Sequence, residues 1–228
     1  MVDCRLAFAV SHSVVLTAQL AAKRYHHYWD KRVEIFGEKA FGSLSQVRES
    51  DTVALNYGLL QIPGTYDPKG RAILLFDQSK HDKEAYDIPS MLRVVWYQMH
   101  CVLKASESAQ KHGVVILAHP KHAKFVQFDR HLDKALMMSI RGAIPVRIAA
   151  IHVCHPPSFF TILWPVAKVF LGERIRKRVR VHSGSEAKVL KALQKFGMEK
   201  EMIPTCLGGS EELDHEAWIR ARHKAEAC

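Results

Sequence analysis

The chain has 228 residues, 48% of them apolar and 25% charged, which excludes a disordered or fibrous protein and is enough for one well-buried domain. A formal net charge of +10 points to an anionic partner, with nucleic acid, acidic protein and anionic lipid headgroups as candidates beside a merely solvated basic surface. Cys4, Cys101, Cys154, Cys206 and Cys228 make an odd count without a CxxC pair, the pattern of reduced thiols in an intracellular protein.

In chain order, residues 6–22 ("LAFAVSHSVVLTAQLAA") superficially resemble a signal peptide. Asp3 opposes Arg5 ahead of them and Ser-His-Ser interrupts the apolar run, so a helix packed on the domain is the expectation. Residues 14–36 contain no proline or glycine, and Leu16, Leu20, Tyr28, Val33 and Phe36 predict a helix. Gly37 and Gly42 break it, and a polar stretch over 43–55 bridges to the main body of the chain. The division expected is an N-terminal helical element, 1–56, and a main domain, 57–228. Apolar runs at 57–62 and 72–76 flank Asp67-Pro68-Lys69-Gly70, whose proline second and glycine fourth suit a tight turn, so a β-hairpin is expected.

Helices and strands then alternate. Leu92, Val95, Trp96, Met99, Val102 and Leu103 keep a helical period over 90–111. Gly113 stops that helix, and "VVILA" at 114–118 reads as a strand. Phe125, Phe128, Leu132, Ala135, Leu136 and Ile140 form a second helical stripe, and "RIAAIHV" at 147–153 a further strand. A helix comes next, then a strand at 178–182 and a last helix at 185–197. The expected fold is α/β: a mainly parallel sheet with crossover helices over its faces and an antiparallel strand at one edge.

The stretch "CHPPSFFTILWPVAKVFLGERIRKRVRV" (154–181) poses the functional question. Residues 148–167 carry no Lys, Arg, Asp or Glu, which is long enough to cross a bilayer. His152 and His155 lie inside, however, and Pro156, Pro157 and Pro165 break helix geometry there, so a span is rejected. Phe159, Phe160, Ile162, Leu163, Trp164, Val166, Val169 and Phe170 occupy nearly every helix face. Such a helix meets something nonpolar besides its own core.

Signatures of chemistry are missing. There is no GxGxxG, GxxxxGK[ST] or GxSxG motif, and the carboxylates are too scattered for an acid–base pair. His119 and His122 flank Pro120, while His152, Cys154 and His155 gather at a strand end. Metal ligation is one reading, but the spacing is not that of paired zinc ligands and 14 histidines make chance clusters common. No metal site, cofactor or catalytic residue is therefore expected. No helix-turn-helix, zinc-finger or RNP-like pattern supports nucleic acid as the partner.

Four ordered pieces carry a family likeness: "DPKGRAILLFD", "GVVILAHP", the block from "IPVRIAAIHV" through "RVRVHSG", and "MIPTCLGGS". Over residues 67–218 the chain resembles the CRAL-TRIO lipid-binding domain of the phosphatidylinositol-transfer and the tocopherol- and retinal-binding proteins. Residues 16–56 resemble, more weakly, the small helical bundle that precedes this domain. The resemblance implies one hydrophobic lipid enclosed between the sheet and a mobile gate helix at about residues 158–171. Gate residues would be Phe159, Phe160, Leu163, Trp164 and Phe170. Val115, Leu117, Ile151 and Val153 on strands, with Met99 from a crossover helix, would line the cavity. Arg174, Arg176, Lys177, Arg178 and Arg180 would meet anionic headgroups, with Arg178 in the family's phosphoinositide position. The chain departs at Val146, where the phosphatidylinositol-transfer branch carries an acidic residue.

The implied partners are a hydrophobic lipid and, reversibly, an anionic membrane surface, placing the protein in the cytoplasm as a peripheral membrane protein that transfers lipid without chemistry. Two rivals stand beside this: a lipid-sensing regulatory or scaffold module that binds a protein partner, and an enzyme using His119, His122, His152 or Cys154.

Overall fold

The computed structural model describes residues 18–140 and 142–226. The first helix, α1 (Ala18–Phe36), begins where that description begins, so residues 14–17 of the expected helix, and the signal-like segment up to residue 17, lie outside it. Its aromatic face docks on the main domain: Tyr28 stacks on Trp96 at 5.6 Å, and its hydroxyl shares a 3.0 Å hydrogen bond with His100 Nε2. The polar stretch 43–55, which bridges to the main domain within the expected helical element, is helical, with a 3-10 turn followed by α2 (Val47–Ser50) and α3 (Thr52–Tyr57). Asp51 between them accepts hydrogen bonds from Ser50, Ser90 and Arg93, which tie this element to the helix carrying the latter two.

The edge strand β1 (Leu60–Gln61) pairs antiparallel with β2 (Ala72–Phe76), placing Leu60 opposite Phe76. The turn between them closes as its chemistry predicts, Gly70 N–H donating to the Asp67 carbonyl at 2.8 Å. The apolar period over 90–111 resolves into two helices, α4 (Ile88–Ala105) and α5 (Glu107–His112). The break falls at Ser106, whose hydroxyl caps α5 by accepting from Ala109 N–H, a role serine fills better than a helix interior. Gly113 (φ 89°) leads into β3 (Val114–Ala118); a Cβ there would sit 2.0 Å from the Arg147 carbonyl oxygen, so only glycine lets the two chain segments pair.

The next stripe is helical only from α6 (Arg130–Ile140) onward. Asp129 caps it by accepting from the His131 and Leu132 N–H groups, leaving Phe125 and Phe128 in a preceding turn. Then come β4 (Ile148–Cys154), α7 (Phe160–Arg176), β5 (Val179–His182) and α8 (Glu186–Gln194). The fold does not end at α8: α9 (His215–Glu226) comes after it, and Tyr97 stacks edge-on to its Trp218. A weakly apolar sequence hid this helix, which is held through a few contacts and not by a stripe.

The sheet order is β1-β2-β3-β4-β5, parallel throughout except for the β1–β2 pair. Each strand sends alternate side chains to opposite faces. One face carries Ala72, Leu74, Val114, Ile116, Ile148, Ile151 and Val153 into the larger core, shared with α1, α4, α6 and α7. The other carries Ile73, Leu75, Val115, Leu117 and Cys154 into a smaller core with Val189 and Leu193 of α8. Among the described residues no helix is long and apolar enough to cross a membrane.

Candidate functional site

Strand β4 delivers the chain to the sheet edge, and Pro156-Pro157 turn it back across the face. The Pro157 carbonyl accepts from Phe160 N–H at 2.9 Å, opening α7 just beyond the prolines, where proline costs no helical hydrogen bond. Pro165 sits inside the helix, yet the backbone break falls at Gly172 (φ 66°, ψ 159°), a conformation essentially reserved for glycine. The helix proper therefore closes at Leu171.

The two sides of α7 differ in what they meet. Phe160 and Trp164, stacked one turn apart at 5.6 Å, pack with Leu171 and Ile175 against the larger core. Ile162, Val166 and Val169, spaced along the opposite side, are 69%, 48% and 75% exposed. Phe159 is half-buried against the edges of two rings, Phe125 at 5.6 Å and Phe128 at 5.3 Å, an aromatic latch between the loop ahead of α6 and the start of α7. Phe125 and Val126 are themselves exposed and extend the apolar surface of α7. Leu163 is half-buried on α7, and Phe170 lies on it with its side chain outside the described residues.

Ile151, Val153 and Met99 belong to the core that α7 covers. Val115 and Leu117 do not: they point through the sheet into the α8 core, and Ile116 takes the α7 side of β3. The two-residue alternation of the strand makes the correction, since a fully apolar run such as "VVILA" carries no mark of which alternate set faces which layer.

The basic flank also divides. Arg178 is half-buried and donates to the Ile148 carbonyl at 2.7 Å, tying the start of β5 to β4. Burial lowers its pKa, and Arg147 and Arg174, both of its own sign, lower it further. Arg24 of α1 is likewise lowered by burial and by Arg174. Arg174 thus acts on Arg24 and on Arg178, and Arg147 acts on Arg178, which links four guanidinium groups from three parts of the chain. Arg24 and Arg147 do not stand out in the sequence; no local pattern links positions 24, 147 and 174. Arg176 is exposed, and Lys177 pairs with Glu173 at 2.6 Å on the surface. Arg180 departs from the expected group: it alternates to the α8 side of β5, where it acts on His152 and His182.

Two of the side chains an enzyme would use, Cys154 and His152, lie inside the α8 side of the sheet. Burial pushes the Cys154 thiol up to about 12, so it is not a thiolate nucleophile at neutral pH. His152 pairs through Nδ1 with His182 Nε2 at 2.8 Å beneath Phe196, on the α8 side of the sheet.

The molecule is an α/β domain, a mainly parallel sheet with helices on both faces, one of which, α7, is apolar on its inner and outer sides. The CRAL/TRIO domain model matches residues 55–209, and the chain belongs to that family. It is 29% identical over 168 residues to an alpha-tocopherol transfer protein-like protein of Mus musculus, covering 72% of this chain and 47% of the relative. It is 24% identical over 212 residues to clavesin-2 of Homo sapiens, covering 88% of this chain and 63% of the relative. The tyrosine-protein phosphatase non-receptor type 9 of Homo sapiens matches at 22% over 161 residues, covering 71% of this chain and 26% of the phosphatase. The chain spans about half the length of the tocopherol transfer protein-like relatives it matches, 47% and 52%. The crystal structure of Sfh5 shares the fold, with a TM-score of 0.62 at 13% identity over 97% of this chain and 81% of that one.

Proposed function

We propose that this chain binds a single hydrophobic lipid between its sheet and α7 and carries it between membranes without catalysing a reaction. The observation that carries the reading is that α7 is apolar on both sides, its inner side on the core and its outer side in water at Ile162, Val166 and Val169. Burying one large apolar side chain is worth about 1.5–3 kcal/mol. Each arginine at an anionic leaflet adds about 1 kcal/mol. The sum favours reversible attachment, with α7 as the gate that opens at the membrane and closes in water, and with Arg24, Arg147, Arg174 and Arg178 facing anionic headgroups of the cytoplasmic leaflet.

The ligand classes to test first are isoprenoid-type lipids, suggested by the name of the tocopherol transfer protein-like relatives, and phospholipids. Val146 packs its methyl groups on the core and offers no acceptor to inositol hydroxyls, which weighs against inositol lipid held as the phosphatidylinositol-transfer branch holds it. The test is movement of fluorescent tocopherol and phosphatidylcholine analogues from donor to acceptor vesicles containing phosphatidylserine. Transfer that saturates with protein and is lost in Ile162→Asp/Val166→Asp supports the reading; no transfer and no extracted lipid at low salt sinks it. The phosphatase relative, only 26% of which is matched, favours a second reading, a lipid-sensing module that recruits a protein partner. Lipid binding without transfer, with one protein co-purifying in stoichiometric amount, would favour it instead.

A further inference from the structure

The carboxyl ends of β2, β3 and β4 carry a second cluster, on the α8 side of the sheet, at the start of the loops that lead to Phe125 and to α7. His119, the first residue after β3, and His155, the first after β4, are 4% and 9% exposed. Their rings stand edge to face at 6.1 Å, and the exposed His122 ring meets His119 at 5.9 Å.

The hydrogen bonding fixes which ring nitrogens are available. His155 Nδ1 lies 3.2 Å from the Gly184 carbonyl, which can only accept, so Nδ1 carries the proton and Nε2 presents a lone pair. That lone pair, and Nε2 of His119, are buried with no hydrogen-bond partner among the described residues. A buried polar atom left unpartnered is costly, and two on neighbouring rings ask for a shared ligand. An imidazole whose other nitrogen donates to a backbone carbonyl is the arrangement that orients metal-ligating histidines. His155 is also the one non-glycine among the described residues with positive φ, at 54°, so the backbone holds this ring in place against its own preference. A zinc–nitrogen bond of about 2.0–2.1 Å puts two imidazole centres about 5.2 Å apart on a tetrahedral ion, so the two rings, now 6.1 Å apart, close by about 1 Å on binding.

We propose that His119 and His155 bind a divalent transition-metal ion through Nε2, with His122 rotating in as third ligand and water as the fourth. Asp77 and Glu186 place negative charge on these rings, and Lys121, paired with Glu186 at 2.7 Å, offsets part of it. Among the described residues no three such side chains already surround one point, so the site completes itself on binding. Sequence spacing concealed it, because His119 and His155 are 36 positions apart and meet only where β3 and β4 pair.

The test is calorimetric titration of Zn2+ into the full chain stripped by chelator, repeated with Co2+ while the visible d–d bands of a tetrahedral complex are recorded. One ion per chain at micromolar affinity or tighter is expected. Loss of an outer-shell partner weakens metal sites about 10–100-fold, so His119→Gln and His155→Asn, which remove ligands, should each weaken binding by more than about 100-fold. His122→Ala alters an exposed side chain and leaves the fold intact; as it also removes a ligand, it too should weaken binding by more than about 100-fold. Absence of stoichiometric binding overturns the proposal, as does Zn2+ affinity unchanged in both His122→Ala and His119→Gln. Lipid transfer is measured separately on the same variants, and because His155 is followed by the prolines that open α7, the metal titration alone decides the site.

Discussion

The arginine that most changes the picture is Arg24, because it stands far from the basic run yet shares its electrostatic environment. Arg174 acts on both Arg24 and Arg178, so the cluster is a property of α1, the entry to β4 and the end of α7 together. A multivalent anion facing four like charges gains from all of them, whereas an isolated surface arginine contributes through screening water. Removing one such charge is worth about 1 kcal/mol at an anionic leaflet, or roughly fivefold in partition. Arg24→Gln should therefore lower co-sedimentation with phosphatidylserine vesicles about as much as Arg174→Gln does. Equal binding by Arg24→Gln and the unmodified chain would remove α1 from the membrane-facing surface. In the sequence the run at 174–180 is conspicuous, but which of its members act together is not. Alternation sends Arg180 through to the α8 side, and Glu173 engages Lys177.

Among the elements, α7 was the most legible and its internal break the least. Its apolar content on every face predicts two apolar environments; Phe160 and Trp164 meet the core on one side, while Ile162 and Val169 are exposed on the other. Proline attracts attention as the helix breaker, yet Pro165 is accommodated and Gly172 ends the helix. With φ 66° and ψ 159°, Gly172→Ala forces a backbone that alanine avoids, at a cost of about 1–3 kcal/mol. A chain of this size loses roughly 2–4 °C in Tm per kcal/mol, so a drop measurable by calorimetry is expected. An unchanged Tm would show that the break is not confined to glycine's conformation. Strand β3 teaches the complementary point. "VVILA" was readable as a buried strand, but nothing in five apolar residues separates Ile116, which faces α7, from Val115 and Leu117, which face α8.

The molecule as a whole carries a pH dependence written into its buried imidazoles. His152 is pushed down to about 4 by burial first, then by His182, Arg71 and Arg180. His182, His81 and His215 are also lowered, each chiefly by burial. An unfolded histidine takes up its proton near pH 6.5, while His152 in the fold resists until about pH 4. Between those values the unfolded chain binds more protons at this position, so the His152 contribution to stability is full above pH 6.5 and is lost as the pH drops towards 4. His152 alone contributes on the order of 3 kcal/mol to that loss. Asp133, whose carboxyl is pushed up to about 7 by burial and by Asp129, acts in the opposite sense over the same range, so the readout is a difference. In urea melts at pH 7.5 and 5.0 the stability of the unmodified chain relative to His152→Gln should shrink towards pH 5.0, and a constant difference would contradict the buried, neutral pair.

Local chemistry was enough to read the α/β class, the parallel strands, the turn at Asp67–Gly70 and the family, because periodicity, turn residues and ordered motifs are written over short stretches of chain. Relations between distant positions lay beyond it. The sheet face each strand residue serves, the joining of Arg24 and Arg147 to Arg174 and Arg178, and the meeting of His119 with His155 all depend on pairings that close loops of tens of residues. Those pairings are chosen by the packing of two cores at once, and no window of sequence contains both sides of a core.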